Sequence, residues 1–142
     1  MLAHTSGEIF RSGFKCMIEF PFDPKDNLII VPVEVHGKSH QITLNMAVDT
    51  GATWTILPIR TCSIIGAVHQ RPIAIVTGSR IENVKLMTIP LIKAFGIDIT
   101  NFKVVAHDLP PSILVDGLLG MNFLKCTKLT IDFSKNIIKI PH

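Results

Sequence analysis

A chain of 142 residues is most simply one domain with room for a sizeable core. Hydrophobic residues make up 47% and mean hydropathy is +0.42, yet no apolar run reaches the roughly 18 residues that cross a bilayer, which excludes a helical membrane span. The net charge of +3 comes from 14 basic and 11 acidic residues scattered without a block of like sign, so no basic stripe marks a nucleic-acid-binding face.

Eight Phe, one Trp and no Tyr, with abundant Ile, favour strands over helices. Cys16, Cys62 and Cys126 lie far apart without a CxxC pair, and the six histidines share no ligand spacing. Neither a disulfide frame, a metal site nor another cofactor is expected. No apolar h-region of signal-peptide length opens the chain, and a cytoplasmic location is expected.

In chain order, Met1 to Ser12 is polar and aperiodic and reads as a loosely held arm. Phe14, Cys16, Ile18 and Phe20 then alternate with Lys15, Met17 and Glu19, the period of a strand with one buried face. Residues 1–26 are set apart as an arm with a possible first strand, and residues 27–142 as the main domain. Leu28 to Val35 is a strand whose Pro32 needs an edge or bulge, because proline cannot donate to a ladder. His36 to Ser39 turns the chain into a strand with Ile42, Leu44, Met46 and Val48 on one face, which runs straight into Asp49.

After Asp49-Thr50-Gly51-Ala52, Thr53 to Leu57 reads as a short strand, and Pro58 opens a helix over Ile59 to Ile65 with Gly66 as its stop. Pro72 to Val76 and Arg80 to Leu86 flank Thr77-Gly78-Ser79 as a hairpin, and Met87 to Ala94 pairs with Ile97 to His107. Ile113 to Leu119 is apolar except for Asp116, Met121 to Lys125 starts a short helix, and Leu129 to Phe133 with Ile137 to Ile140 closes the chain as a hairpin. About nine short strands at this spacing predict an all-β sandwich or barrel with one or two short helices.

The chemistry concentrates at Ala47 to Pro58. An apolar strand delivers the Asp49 carboxylate to its end, where an ionised group is costly unless paired or used. The bland reading is a turn aspartate hydrogen-bonding its own loop. The context argues for more: a glycine-tipped hairpin some thirty residues on, then the apolar run Val115-Asp116-Gly117-Leu118-Leu119-Gly120.

Together, Ala47-Val48-Asp49-Thr50-Gly51-Ala52-Thr53, Leu118-Leu119-Gly120 and the short helix Met121-Asn122-Phe123-Leu124 resemble the retropepsin-like aspartic proteases, from about Leu28 to the C-terminus. The resemblance implies a closed β-barrel-like fold with catalytic Asp49 in a central loop of Thr50, Gly51, Ala52 and Thr53. Leu118, Leu119 and Gly120 would support that loop from behind, and Val76, Thr77, Gly78 and Ser79 would form a flap over an extended peptide. It further implies a homodimer held through the active-site loops, with the Thr50 hydroxyl bonding across the boundary and the terminal strand joining an intersubunit sheet. Trp54 is expected in the core or an interface, and Asp116 as a loop residue ahead of Gly117.

Peptide hydrolysis by this route needs two carboxylates sharing one proton. No second Asp-Thr-Gly or Asp-Ser-Gly occurs, so the second carboxylate is expected from Asp49 of another copy. Two functional classes remain open: a dimeric aspartic endopeptidase, and a non-catalytic peptide-binding or dimerisation module on the same fold.

Overall fold

The computed structural model describes residues 8–12 and 15–141. Eleven strands and two short helices follow one another among them: β1 (Glu8–Ser12), β2 (Lys15–Pro21), β3 (Ile30–His36), β4 (Gln41–Val48), β5 (Ile56–Leu57), α1 (Ile59–Ile65), β6 (Val68–Thr77), β7 (Arg80–Ala94), β8 (Ile97–Ala106), β9 (Leu118–Leu119), α2 (Met121–Leu124), β10 (Thr130–Asp132) and β11 (Ile137–Pro141). The all-β expectation with two short helices holds.

Seven strands form one sheet in the order β3-β4-β9-β5-β8-β7-β6, and a further β3–β7 pairing bends it into a ring. That pairing joins Glu34 to Lys93, Val35 to Ile92 and His36 to Leu91. Pro32 lies before it, where β3 is paired with β4 alone, so its missing N–H interrupts no second ladder. β6 pairs only with β7 and extends the sheet as a hairpin. The remaining strands make a second sheet in the order β1-β2-β11-β10.

The core fills the ring and the space between the sheets. Alternation along β3 buries Val31, Val33 and Val35, and β4 contributes Leu44 and Met46. Ile138 and Ile140 of the second sheet join the same cluster as Phe123 of α2. Phe123 is fully buried, with its ring centroid 6.1 Å from that of Phe102 and 6.4 Å from that of Phe95. Phe95 in turn meets Phe20 of β2 edge-on at 5.4 Å, so aromatic contacts tie ring, helix and second sheet together.

Three local expectations differ from the structure. Glu8–Ser12, read as part of a loose arm, forms β1 along the edge of β2, with Ile9 opposite Ile18; Met1 to Gly7, and Phe14 at the head of the expected strand, lie outside the described residues. The two strands expected at Arg80–Leu86 and Met87–Ala94 are one 15-residue strand, because Leu86, Met87 and Thr88 have partners on both β6 and β8. Thr53–Leu57 shrinks to Ile56–Leu57 because the carbonyls of Ala52 and Thr53 accept from Met121 and Asn122 instead of a ladder. Of the apolar run Ile113–Leu119, Leu118–Leu119 is strand.

Candidate active site

β4 and β9 run parallel, with Ala47 beside Leu118 and Val48 beside Leu119. The two chain segments therefore leave the sheet side by side, one into the Asp49 loop and the other into Gly120 and α2. The Asp49 N–H donates to the Leu119 carbonyl at 3.0 Å, and the Gly51 N–H donates to Asp49 Oδ1 at 2.8 Å. The Ala52 N–H closes the loop on the Asp49 carbonyl at 3.3 Å. The carbonyls of Ala52 and Thr53 tie the turn to α2, and among the described residues the Asp49 carboxylate accepts only the Gly51 N–H, with no other side chain bonded to it.

Behind the loop sits a network that the sequence reading missed. Thr55, the one fully buried polar residue among the described residues, donates from both its N–H and its hydroxyl to Asn122 Oδ1, each at 2.8 Å. Its hydroxyl also accepts the Gly120 N–H at 3.1 Å, and Asn122 Nδ2 donates to the Lys103 carbonyl at 2.8 Å. Gly120 is required by close approach: a Cβ there would stand 2.5 Å from the Trp54 carbonyl oxygen. A threonine inside an apolar strand was the available sign, since a buried hydroxyl needs a partner.

Asp49, Gly51, Ala52 and Thr53 open into a cleft of about 1190 Å³. Across it stand Val76, Thr77 and Gly78 of the β6–β7 hairpin, whose turn has Thr77 opposite Arg80 and Gly78 at φ +59°, the left-handed geometry that a tight hairpin needs. Of the expected residues, Leu118 also lines the cleft, Leu119 and Gly120 are buried beneath it, and Thr50 and Ser79 are exposed outside its wall. Trp54 packs against Val84, Leu86 and Val105 as a core residue and also lines the cleft.

Three charged or titratable residues of the wall were not anticipated: Glu82, His107 and Asp108. Asp108 Oδ1 accepts the Ile59 N–H at the start of α1 (3.1 Å), and Glu82 Oε2 lies 3.3 Å from His107 Nε2. Asp116 is a loop residue as expected, its Oδ2 accepting the Asn45 N–H at 2.8 Å. The terminal strand β11, expected in an intersubunit sheet, is flanked on both sides by its own chain, with β2 on one edge and β10 on the other. No helix among the described residues is long and apolar enough to cross a membrane, and among them no group of three or more His, Cys, Asp or Glu could hold a metal.

Comparison with solved structures finds similar folds at low identity. A retropepsin-like aspartic protease from Rickettsia conorii is 19% identical, with a TM-score of 0.64 over 99% of this chain and 97% of that one. The retroviral protease-like domain of Ddi1 from Leishmania major is 21% identical, with a TM-score of 0.54 over 82% and 90%. The EIAV protease complexed with an inhibitor is 21% identical, with a TM-score of 0.51 over 73% and 91%. A comparison with curated proteins finds no significant match. The family model described as "gag-polyprotein putative aspartyl protease" matches residues 31–126, a span that runs from β3 through the Asp49 loop, the hairpin and β9 to the end of α2. The chain belongs to that aspartyl protease family and has the retropepsin-like fold.

Proposed function

We propose that the protein is an aspartic endopeptidase acting as a homodimer, with one Asp49 from each subunit forming the catalytic pair. The supporting observation is the accounting of carboxylates around the cleft. Asp108 is engaged by a helix N–H and Glu82 by His107, while Asp49 Oδ1 meets only its own loop. Among the described residues no acidic side chain is hydrogen-bonded to Asp49, and a two-fold axis would bring it an identical carboxylate.

In that dimer the two carboxylates share one proton, because like charges in contact cannot both ionise. The ionised one accepts a proton from water as the water oxygen attacks the peptide carbonyl. The protonated one donates to the carbonyl oxygen, giving a tetrahedral diol. Collapse breaks the C–N bond as the nitrogen takes the proton that the first carboxylate accepted from water, a diol hydroxyl returns a proton to the second, and the pair is back in its starting state. The substrate lies as an extended strand between the Asp49 loop and the hairpin, whose Val76 and Ile81 are cross-strand partners and about three-quarters exposed (75% and 77%).

Dimer contacts run through the Asp49–Thr53 loops, where exposed Thr50 bonds across the axis, and through the outer edges of the four-stranded sheet, since β11 itself is enclosed. The free thiols of Cys62 and Cys126 support a reducing, cytoplasmic setting. Cleavage assays from acid to neutral pH on wild type and Asp49→Asn, with sedimentation of both, test the reading. Loss of cleavage in a variant that still dimerises supports it. A cleaving monomer, or an undiminished Asp49→Asn, rejects it, and a wild type that dimerises and binds peptides without cutting them supports a binding module instead.

A further inference from the structure

The hairpin strand β7 alternates strictly after its turn: Val84 and Leu86 are buried, whereas Asn83 and Lys85 are exposed. Glu82 holds the same side as Val84 and Leu86. Across the hairpin, Ile75 stands opposite Glu82 and Ile73 opposite Val84. Both isoleucines, with Trp54 and Ile56, pack against Val84, Leu86 and Val105. A carboxylate therefore occupies the end of an otherwise apolar face, a placement that costs free energy unless the charge is partnered or used.

Its partner within the chain is His107 at the end of β8. The Nε2–Oε2 distance is 3.3 Å, and the His107 backbone is fixed by its N–H to the Leu57 carbonyl at 3.0 Å. Both side chains stay partly open to solvent and both line the cleft that holds Asp49. No Lys or Arg lines that cleft among the described residues, although the chain as a whole carries a net charge of +3. The wall thus offers an apolar surface of Ile75, Trp54 and Ile56 leading to a carboxylate, which matches a side chain with an aliphatic stem and a cationic head.

We propose that Glu82, oriented by His107, is a specificity-determining residue that selects a Lys or Arg side chain of the peptide at one subsite of the cleft. The proposal rests on the peptidase reading for its setting. The stem packs on the apolar wall and the head forms a charge-assisted hydrogen bond with the Glu82 carboxylate. A peptide with an uncharged residue of equal length keeps the first contact and loses the second.

The test compares peptides that differ only in Lys against norleucine at each scanned position. Cleavage is followed with the wild-type dimer, and binding by fluorescence anisotropy with Asp49→Asn. The ratio of kcat/KM values for the two peptides is expected to favour Lys by about three- to tenfold at one position, and to fall to about one in Glu82→Gln. Glu82→Lys is expected to turn the preference at that position toward Glu. General damage to the fold lowers both peptides together and leaves the ratio unmoved. A wild-type ratio of about one at every position, or a Lys preference that survives in Glu82→Gln, overturns the proposal. If nothing is cut, a Glu82-dependent Lys preference in binding upholds the subsite while the peptidase reading fails.

Discussion

The Thr55 hydroxyl donates to Asn122 Oδ1 at 2.8 Å while accepting the Gly120 N–H at 3.1 Å. One buried side chain thus joins the strand that leaves the Asp49 loop to the helix that follows Gly120. Asn122→Ala leaves both Thr55 donors without an acceptor, and removing one partner of a buried hydrogen bond costs about 1 to 3 kcal/mol. Urea unfolding is expected to show that loss. Thr55→Val is expected to fall in the same range, because Gly120 then loses its acceptor, and the double variant should cost less than the sum of the two.

Gly120→Ala is expected to destabilise by about 3 kcal/mol, since the added methyl meets backbone, which yields less readily than a side chain. The contact is the Trp54 carbonyl oxygen at 2.5 Å. Thermal unfolding measures the loss, and a shift within the error of the wild type would contradict the close approach.

Gly78→Ala tests the hairpin tip separately from the core. Nothing lies within 4 Å of a Cβ at Gly78, so the strain comes from its φ of +59° alone and is expected to cost about 1 to 2 kcal/mol. Because the tip is exposed, the effect should appear as faster hydrogen exchange in the β6–β7 hairpin, with little change in exchange of the core strands.

Asp132 carries a pH signature. The Ser134 hydroxyl, then the Lys135 N–H and the Lys139 ammonium, lower its pKa to about 2 from an ordinary 3.8. A depressed carboxyl stabilises the folded state above its unfolded pKa and loses that contribution as pH falls through the folded value. The stability difference between wild type and Asp132→Asn is therefore expected to be full above about pH 4 and to shrink toward pH 2.

Much of this architecture could be read from the sequence, and the reasons for the exceptions are physical. The apolar run Leu28 to Val35 and the alternation of Ile42, Leu44, Met46 and Val48 located β3 and β4, and Pro58 and Gly66 bracketed α1 as observed. The pairing that closes the ring, β3 with β7, joins segments more than fifty residues apart, and no local pattern encodes it. The Asp49 loop was legible because its tripeptide and the Leu118-Leu119-Gly120 run are short and local. Glu82 was not, since its meaning depends on His107, 25 positions away. The trace it left was an acidic residue at the apolar phase of a strand.

The central claim is that two copies of Asp49 make one site, and subunit mixing tests it most directly. Wild type is allowed to exchange subunits with about a ninefold excess of Asp49→Asn, and peptide cleavage is measured per wild-type chain. If each site needs both carboxylates, about nine in ten wild-type subunits face an inactive partner, and activity per wild-type chain falls to about one-tenth. Activity per wild-type chain that stays constant through the titration, with exchange verified by a labelled subunit, would show that a single Asp49 suffices and would contradict the account.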